Sequence, residues 1–129
     1  MGDWGFKPWE NDEGASWFWR FMKSVPIDII EQSVETFNIS DEMQYDDFRA
    51  VCYVIACFCK PHIWPVDRPV EPQDLMDKAI NFLTEMIDTK NEKSTFLDMW
   101  ADDPGIIQSV HELIDQIKDS RSEWAELKR

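Results

Sequence analysis

The side chains most able to do chemistry in this sequence lie within eleven positions, at Cys52, Cys57, Cys59 and His62. Thiolates and imidazoles bind zinc, and a thiolate beside an imidazole can act as a nucleophile. The spacing argues against zinc, because residues 57 and 59 of a helix project to nearly opposite sides at about 100° per residue. Apart from Lys60, no neighbouring charge would lower a thiol pKa. We therefore expect buried core cysteines with no metal or cofactor, and a Cys/His enzyme or metal-binding protein is the alternative.

Paired carboxylates are the second group that could do chemistry, as a general acid and base or as ligands of a hard cation. They occur at Asp41–Glu42, Asp46–Asp47 and Asp102–Asp103. Each pair lies where a helix is predicted to begin, so capping and the helix dipole explain them more simply. We recognise no Ser/His/Asp arrangement, calcium loop or glycine-rich phosphate loop. We therefore predict no catalytic residue, and we expect that the protein is not an enzyme.

Acidic residues also repeat along two predicted helices, and these two rows are the candidate binding faces. Their spacing places each row on one side of its helix. Each row is either a solvated face or a docking surface for a basic protein. Lys78, Lys118 and Arg121 interrupt the rows. For any single row, the solvated face is favoured. The rows are Asp74, Asp77, Glu85 and Asp88 in the first helix, and Glu112, Asp115, Asp119 and Glu123 in the second.

The overall charge restricts the class of partner. The chain of 129 residues has 26 acidic and 13 basic residues, which gives a net charge of −13. Binding to nucleic acid requires Lys and Arg to displace counterions from phosphates, so direct binding to nucleic acid is disfavoured. An anionic membrane surface is disfavoured for the same reason. A basic protein is the favoured partner, although excess acid also simply maintains solubility.

Apolar residues recur at helical spacing over most of the chain, which predicts an all-α fold. The clearest stripe comprises Ile106, Val110, Leu113, Ile114 and Ile117. Residues 48–59 are apolar nearly all round, which indicates a central helix; a strand over 51–58 is the alternative, but no second strand could pair with it. Four prolines, Pro61, Pro65, Pro69 and Pro72, predict an extended connector. We expect one compact domain over residues 1–129, with five or six helices, an aromatic N-terminal lead-in and this Pro-rich connector.

The cysteines and the hydropathy predict a cytoplasmic protein. Three clustered cysteines do not form the even, dispersed set of a secreted disulfide framework. No basic segment followed by an apolar run marks a signal peptide. The longest apolar run, residues 50–59, is too short to span a bilayer.

The first seventeen residues, MGDWGFKPWENDEGASW, resemble the opening of a bacterial family known as domain of unknown function 4259. Members begin with M-G-x-W-G-x-G-P-F-x-N-D-x-A-x-x-W or close to it. Lys7, Trp9 and Gly14 depart from this pattern. The resemblance implies a bacterial cytoplasmic protein and no catalytic assignment. Glycines permit a tight lead-in and Asn11 or Asp12 can cap the first helix, so we predict a structural role for the matching residues. These are Gly2, Trp4, Gly5, Pro8, Asn11, Asp12 and Trp17.

Size, charge and compartment together favour a non-enzymatic acidic binding module. Its concrete form would be a bacterial immunity protein that neutralises a basic toxin of the nuclease type. A nucleic-acid mimic that occupies a DNA-binding protein is a variant of this hypothesis. A helical domain with a role that the sequence does not identify is the further alternative. The partner's identity, the binding surface and the oligomeric state stay open at this stage.

Overall fold

The computed structural model describes residues 12–65, 68 and 70–127, and the regular structure in these residues is entirely helical. A short 3₁₀ helix, Glu42–Gln44, precedes the third α-helix. The all-α fold with five or six helices is therefore confirmed, and residues 51–58 are helical rather than a strand. The α-helices are α1 (Asp12–Ser24), α2 (Ile27–Glu35), α3 (Tyr45–Phe58), α4 (Gln73–Met86), α5 (Phe96–Met99) and α6 (Pro104–Leu127).

Two helices begin directly after acidic residues that the sequence predicts as caps. The backbone N–H of Met43 donates to the Asp41 carboxylate at 3.0 Å, and the N–H of Gly105 donates to Asp103 at 2.7 Å. Each carboxylate satisfies an N–H that has no partner within its own helix, which explains why acidic residues precede these helices. Helix α1 begins at Asp12, and the capping prediction for Asn11 lies outside the described residues.

The helices share one apolar core. Helix α3 packs against α2, α4 and α6, and α6 also packs against α4. One side of α3 nevertheless faces solvent, where the Tyr53 side chain is 58% exposed. The core side chains of α6 include Ile106, Val110, Ile114 and Ile117, as the apolar stripe predicts.

Aromatic rings fill the space between α2, α3 and α4. The rings of Phe37 and Phe48 stack with centroids 3.9 Å apart, and Phe82 meets Phe37 edge-on at 5.1 Å. Tyr45 contacts Phe96 edge-on, and its hydroxyl accepts the N–H of Thr95 at 3.0 Å. This hydroxyl joins α3 to the loop before α5, so the buried tyrosine has a polar partner.

The connector between α3 and α4 differs from its prediction. Its first part is a turn rather than an extended segment, because the N–H groups of Ile63 and Trp64 both donate to the Lys60 carbonyl. Pro61 suits the second position of such a turn. The Trp64 ring is buried, and its indole N–H donates to the Val70 carbonyl at 3.2 Å. The connector is thereby held against the helices.

None of the helices in the described part of the chain is long and apolar enough to cross a membrane.

Candidate acidic binding faces

The acidic row of α4 points away from the core and is partly neutralised. Asp74, Asp77 and Glu85 are exposed on the side of α4 opposite its buried residues. Asp88, predicted in the same row, is also exposed but lies beyond the end of the helix at Met86, where its carboxylate accepts the N–H of Lys90 at 2.9 Å. The Asp77 carboxylate accepts from Arg121 of α6 at 3.1 Å. Lys78 lies within the same row and pairs with Glu35 of α2 at 2.5 Å. Hydrogen bonding to Glu35 and its negative charge raise the pKa of Lys78, so this cation stays charged within the row.

The acidic row of α6, like that of α4, has one carboxylate in an ion pair, but its unpaired members follow one another along the helix. Glu112, Asp115 and Asp119 are exposed, and none of them forms an ion pair with a residue that the structure describes. Glu112 accepts a hydrogen bond from the neutral amide of Gln108 at 3.1 Å. Glu123 is the exception, since it is half-buried and pairs with Lys60 at 3.3 Å. In α4 the unpaired members Asp74 and Glu85 are separated by the paired Asp77 and by Lys78. The uninterrupted run of unpaired carboxylates on α6 is therefore the better candidate for binding a cationic surface.

Two of the three cysteines in the predicted cluster lie in the core. Cys52 and Cys59 are buried and Cys57 is half-buried. Helix α3 ends at Phe58, so Cys59 lies beyond it and its carbonyl accepts the indole N–H of Trp124 at 2.8 Å. Within the described ranges, no three His, Cys, Asp or Glu side chains come close enough together to hold a metal ion.

Burial also makes two of these thiols poor nucleophiles. It raises the pKa of Cys59 to about 12, with a smaller contribution from the negative charge of Glu31, and it raises the pKa of Cys52 as well. A nucleophilic cysteine needs a lowered thiol pKa in a positively charged surrounding. The Cys52 and Cys59 thiols are instead buried, and their pKa values are raised rather than lowered.

Two residues that hold α6 in place were missed by the sequence analysis. The Ser120 hydroxyl is fully buried and donates to the Ala56 carbonyl at 2.8 Å. The buried Trp124 forms the bond to Cys59 described above. Trp124 lies seven residues after Ile117 and so continues the apolar stripe of α6, a signal that could have identified it.

The N-terminal motif is only partly described. Trp17 of α1 stacks on Phe21 with ring centroids 5.4 Å apart, and its side chain is 53% exposed. Gly2, Trp4, Gly5, Pro8 and Asn11 lie outside the described residues. The structural role of the motif stays a prediction.

Comparison with known proteins identifies the family. A family model described as Domain of unknown function (DUF4259) matches residues 2–127. No curated protein and no solved structure matches this chain. The match covers almost the whole chain and agrees with the resemblance of the N-terminal motif. The chain is therefore a member of the DUF4259 family.

Proposed function

We propose that this protein is a non-enzymatic binding protein that engages a basic protein through the acidic face of α6. The observation that carries the proposal is the set of exposed carboxylates at Glu112, Asp115 and Asp119, which have no ion-pair partner among the described residues. Like charges held side by side on one helix destabilise it. A basic partner would relieve that repulsion.

The most concrete form of this function is a bacterial immunity protein that neutralises a toxin of the nuclease type in the cytoplasm. A nuclease must present Lys and Arg to the phosphates of its substrate. A strongly acidic protein is attracted to such a surface over a distance, and this attraction speeds capture. Covering the surface would exclude nucleic acid without any catalytic step.

The two acidic rows allow a matched test. The tagged wild-type chain, an Asp115→Lys/Asp119→Lys variant of α6 and an Asp74→Lys/Glu85→Lys variant of α4 would be expressed in the organism of origin. Both variants make the same change in net charge at exposed positions. Partners would be co-purified at low and high salt and identified by mass spectrometry.

We expect one basic protein at near-equal stoichiometry with the wild type and with the α4 variant. It should be lost with the α6 variant and at high salt, because salt screens exposed charges. Equal loss in both variants would mean that total charge acts rather than the α6 face. Recovery of the chain alone would count against a binding function, and identification of the partner as a toxin would support the immunity role.

A further inference from the structure

A groove lies between α3 and α6 on the solvent side of the molecule. The two helices run side by side in the same direction, since Ala56 bonds to Ser120 and Cys59 to Trp124. The groove has a volume of about 480 Å³. Each helix lines it at successive i, i+3, i+4 and i+7 positions, namely 46, 49, 50 and 53 of α3 and 109, 112, 113 and 116 of α6.

The shape of this groove fits a helix. Two helices side by side leave a trough into which the side-chain ridge of a third helix packs. Ala50 and Ser109 have small side chains, so the backbone of an incoming helix could approach closely. Tyr53 and Leu113 offer apolar contact area, and Tyr53 has an exposed aromatic ring of the kind that often anchors interfaces. The lining residues extend over two turns, or about 10 Å.

The charge of the groove indicates the chemistry of its occupant. Asp46 and Glu112 line it, and Glu112 also belongs to the acidic face of α6. Among the described lining residues, Arg49 is the cation; it pairs with Asp46 at 3.7 Å and lies over the rings of Phe96 and Trp100. This pairing leaves Glu112 as the carboxylate of the lining that has no ion-pair partner in the described part of the chain. A second copy of this chain would bring another net charge of −13 to an acidic rim, so self-association here is disfavoured.

We infer that the groove between α3 and α6 binds an amphipathic helix of the basic partner. The apolar row of that helix packs against Tyr53 and Leu113, and its Lys or Arg side chains lie beside Glu112 and the adjoining acidic face of α6. This inference rests on the proposed function and adds to it the binding surface and the kind of segment that is recognised.

Site-specific photo-cross-linking tests the inference in the full chain. The photo-reactive amino acid p-benzoylphenylalanine would replace Tyr53 in the groove or, as a control, Asn81 on the outer face of α4. Both side chains are exposed, so both replacements should leave the fold intact. After irradiation in cells of the organism of origin, the cross-linked peptide would be sequenced. We expect position 53 to label a predicted helix of the basic partner that has an apolar row flanked by Lys or Arg, and position 81 to give no such product.

A second pair of variants separates the groove from the general acidity of α6. Ala50→Trp fills the centre of the groove without changing the charge, and Asn81→Trp adds the same side chain to α4. We expect Ala50→Trp to reduce recovery of the partner by about tenfold or more, the effect of losing roughly 1.4 kcal/mol of binding. Asn81→Trp should leave recovery unchanged, and thermal melts would show that both variants fold.

The outcomes distinguish the inference from the function on which it rests. The groove inference is wrong if the partner co-purifies but is not labelled from position 53, or if Ala50→Trp binds it normally. It is also wrong if position 53 labels a segment without basic residues or a second copy of this chain. In these cases the acidic face of α6 can still bind a basic protein. If no partner co-purifies and neither position gives a product, both proposals fail.

Discussion

At the scale of single residues, two of the three thiols are held in the interior and affect how stability depends on pH. Burial raises the pKa of Cys59 from its ordinary 9.0 to about 12, and the pKa of Cys52 shifts in the same direction. The unfolded chain therefore ionises these thiols first. Their stabilising contribution is complete below pH 9.0 and is lost as the pH rises toward about 12.

We expect the melting temperature to fall progressively above pH 9.0, and part of this fall should depend on Cys59. In Cys59→Ala the alkaline loss of stability should be smaller than in the wild type, since one buried thiol no longer ionises on unfolding. Cys57→Ala is the matched control, because this cysteine is only half-buried. Thermal unfolding followed by circular dichroism over a pH series measures the effect. Identical alkaline slopes for all three proteins would contradict it.

The turn between α5 and α6 contains a second informative residue, Ala101, which adopts a left-handed backbone with φ of 52°. The N–H of Ala101 bonds to the Asp98 carbonyl and that of Asp102 to the Leu97 carbonyl. These two bonds form a Schellman motif, in which glycine is the usual residue at the position that Ala101 occupies. The left-handed conformation costs an L-residue roughly 1–2 kcal/mol.

Ala101→Gly should therefore stabilise the protein by up to about 1 kcal/mol, since relief of strain exceeds the added chain entropy. The control is Ala50→Gly, at an exposed position inside α3, which should destabilise the protein by about 1 kcal/mol. Urea unfolding of both variants measures the free-energy changes. The same sign of change in both variants would show that Ala101 is not strained.

At the scale of helices, the start of α6 depends on one side chain. The Asp103 carboxylate accepts the N–H of Gly105 at 2.7 Å. Asp103→Ala should lower the free energy of unfolding by about 0.5–2 kcal/mol, because that N–H loses its partner. Asp103→Asn should cost much less, since the amide oxygen can still cap the helix. Chemical denaturation compares them, and an equal loss in both variants would assign the effect to the charge of Asp103 instead.

The sequence predicts the individual helices better than the contacts between them. The spacing of Ile106, Val110 and Ile114 identifies α6, because one side of a packed helix must be apolar. Nothing in that spacing indicates that Ser120 bonds to the Ala56 carbonyl, 64 residues away. Helical periodicity records only which side of a helix is buried. The choice of partner helix depends on packing of the whole chain.

The same limitation applies to the acidic faces. Asp77 and Asp115 have equivalent roles in the sequence, since each belongs to an acidic row on the outer side of a helix. In the fold Asp77 meets Arg121, 44 residues away, whereas Asp115 pairs with no described cation. The exposure of both rows could therefore be predicted from the sequence, but which carboxylate of each row is paired, Asp77 in one and Glu123 in the other, could not.

At the scale of the whole molecule, four cations join separate elements, and many of the excess carboxylates lie on the outside. Arg68 pairs with Asp28 and Glu31 of α2, while Lys60 and Arg121 connect α6 to its neighbours. Exposed ion pairs of this kind contribute only about 0–1 kcal/mol each. The repulsion arising from a net charge of −13 acts on every exposed carboxylate.

These opposing effects predict how the stability responds to salt. Salt screens both the ion pairs and the repulsion between carboxylates, and we expect the repulsion to outweigh the ion pairs, so the melting temperature should rise from low to physiological salt. Asp115→Asn/Asp119→Asn should be more stable than the wild type at low salt and less sensitive to salt, because two unpaired charges are removed. Asp77→Asn is the control, since it removes one charge but breaks the pair with Arg121 and should gain little stability.

A melting temperature that falls with added salt would mean that ion pairs dominate. If Asp115→Asn/Asp119→Asn also binds the basic partner more weakly, the same carboxylates that reduce the stability of the isolated protein are those that its partner neutralises.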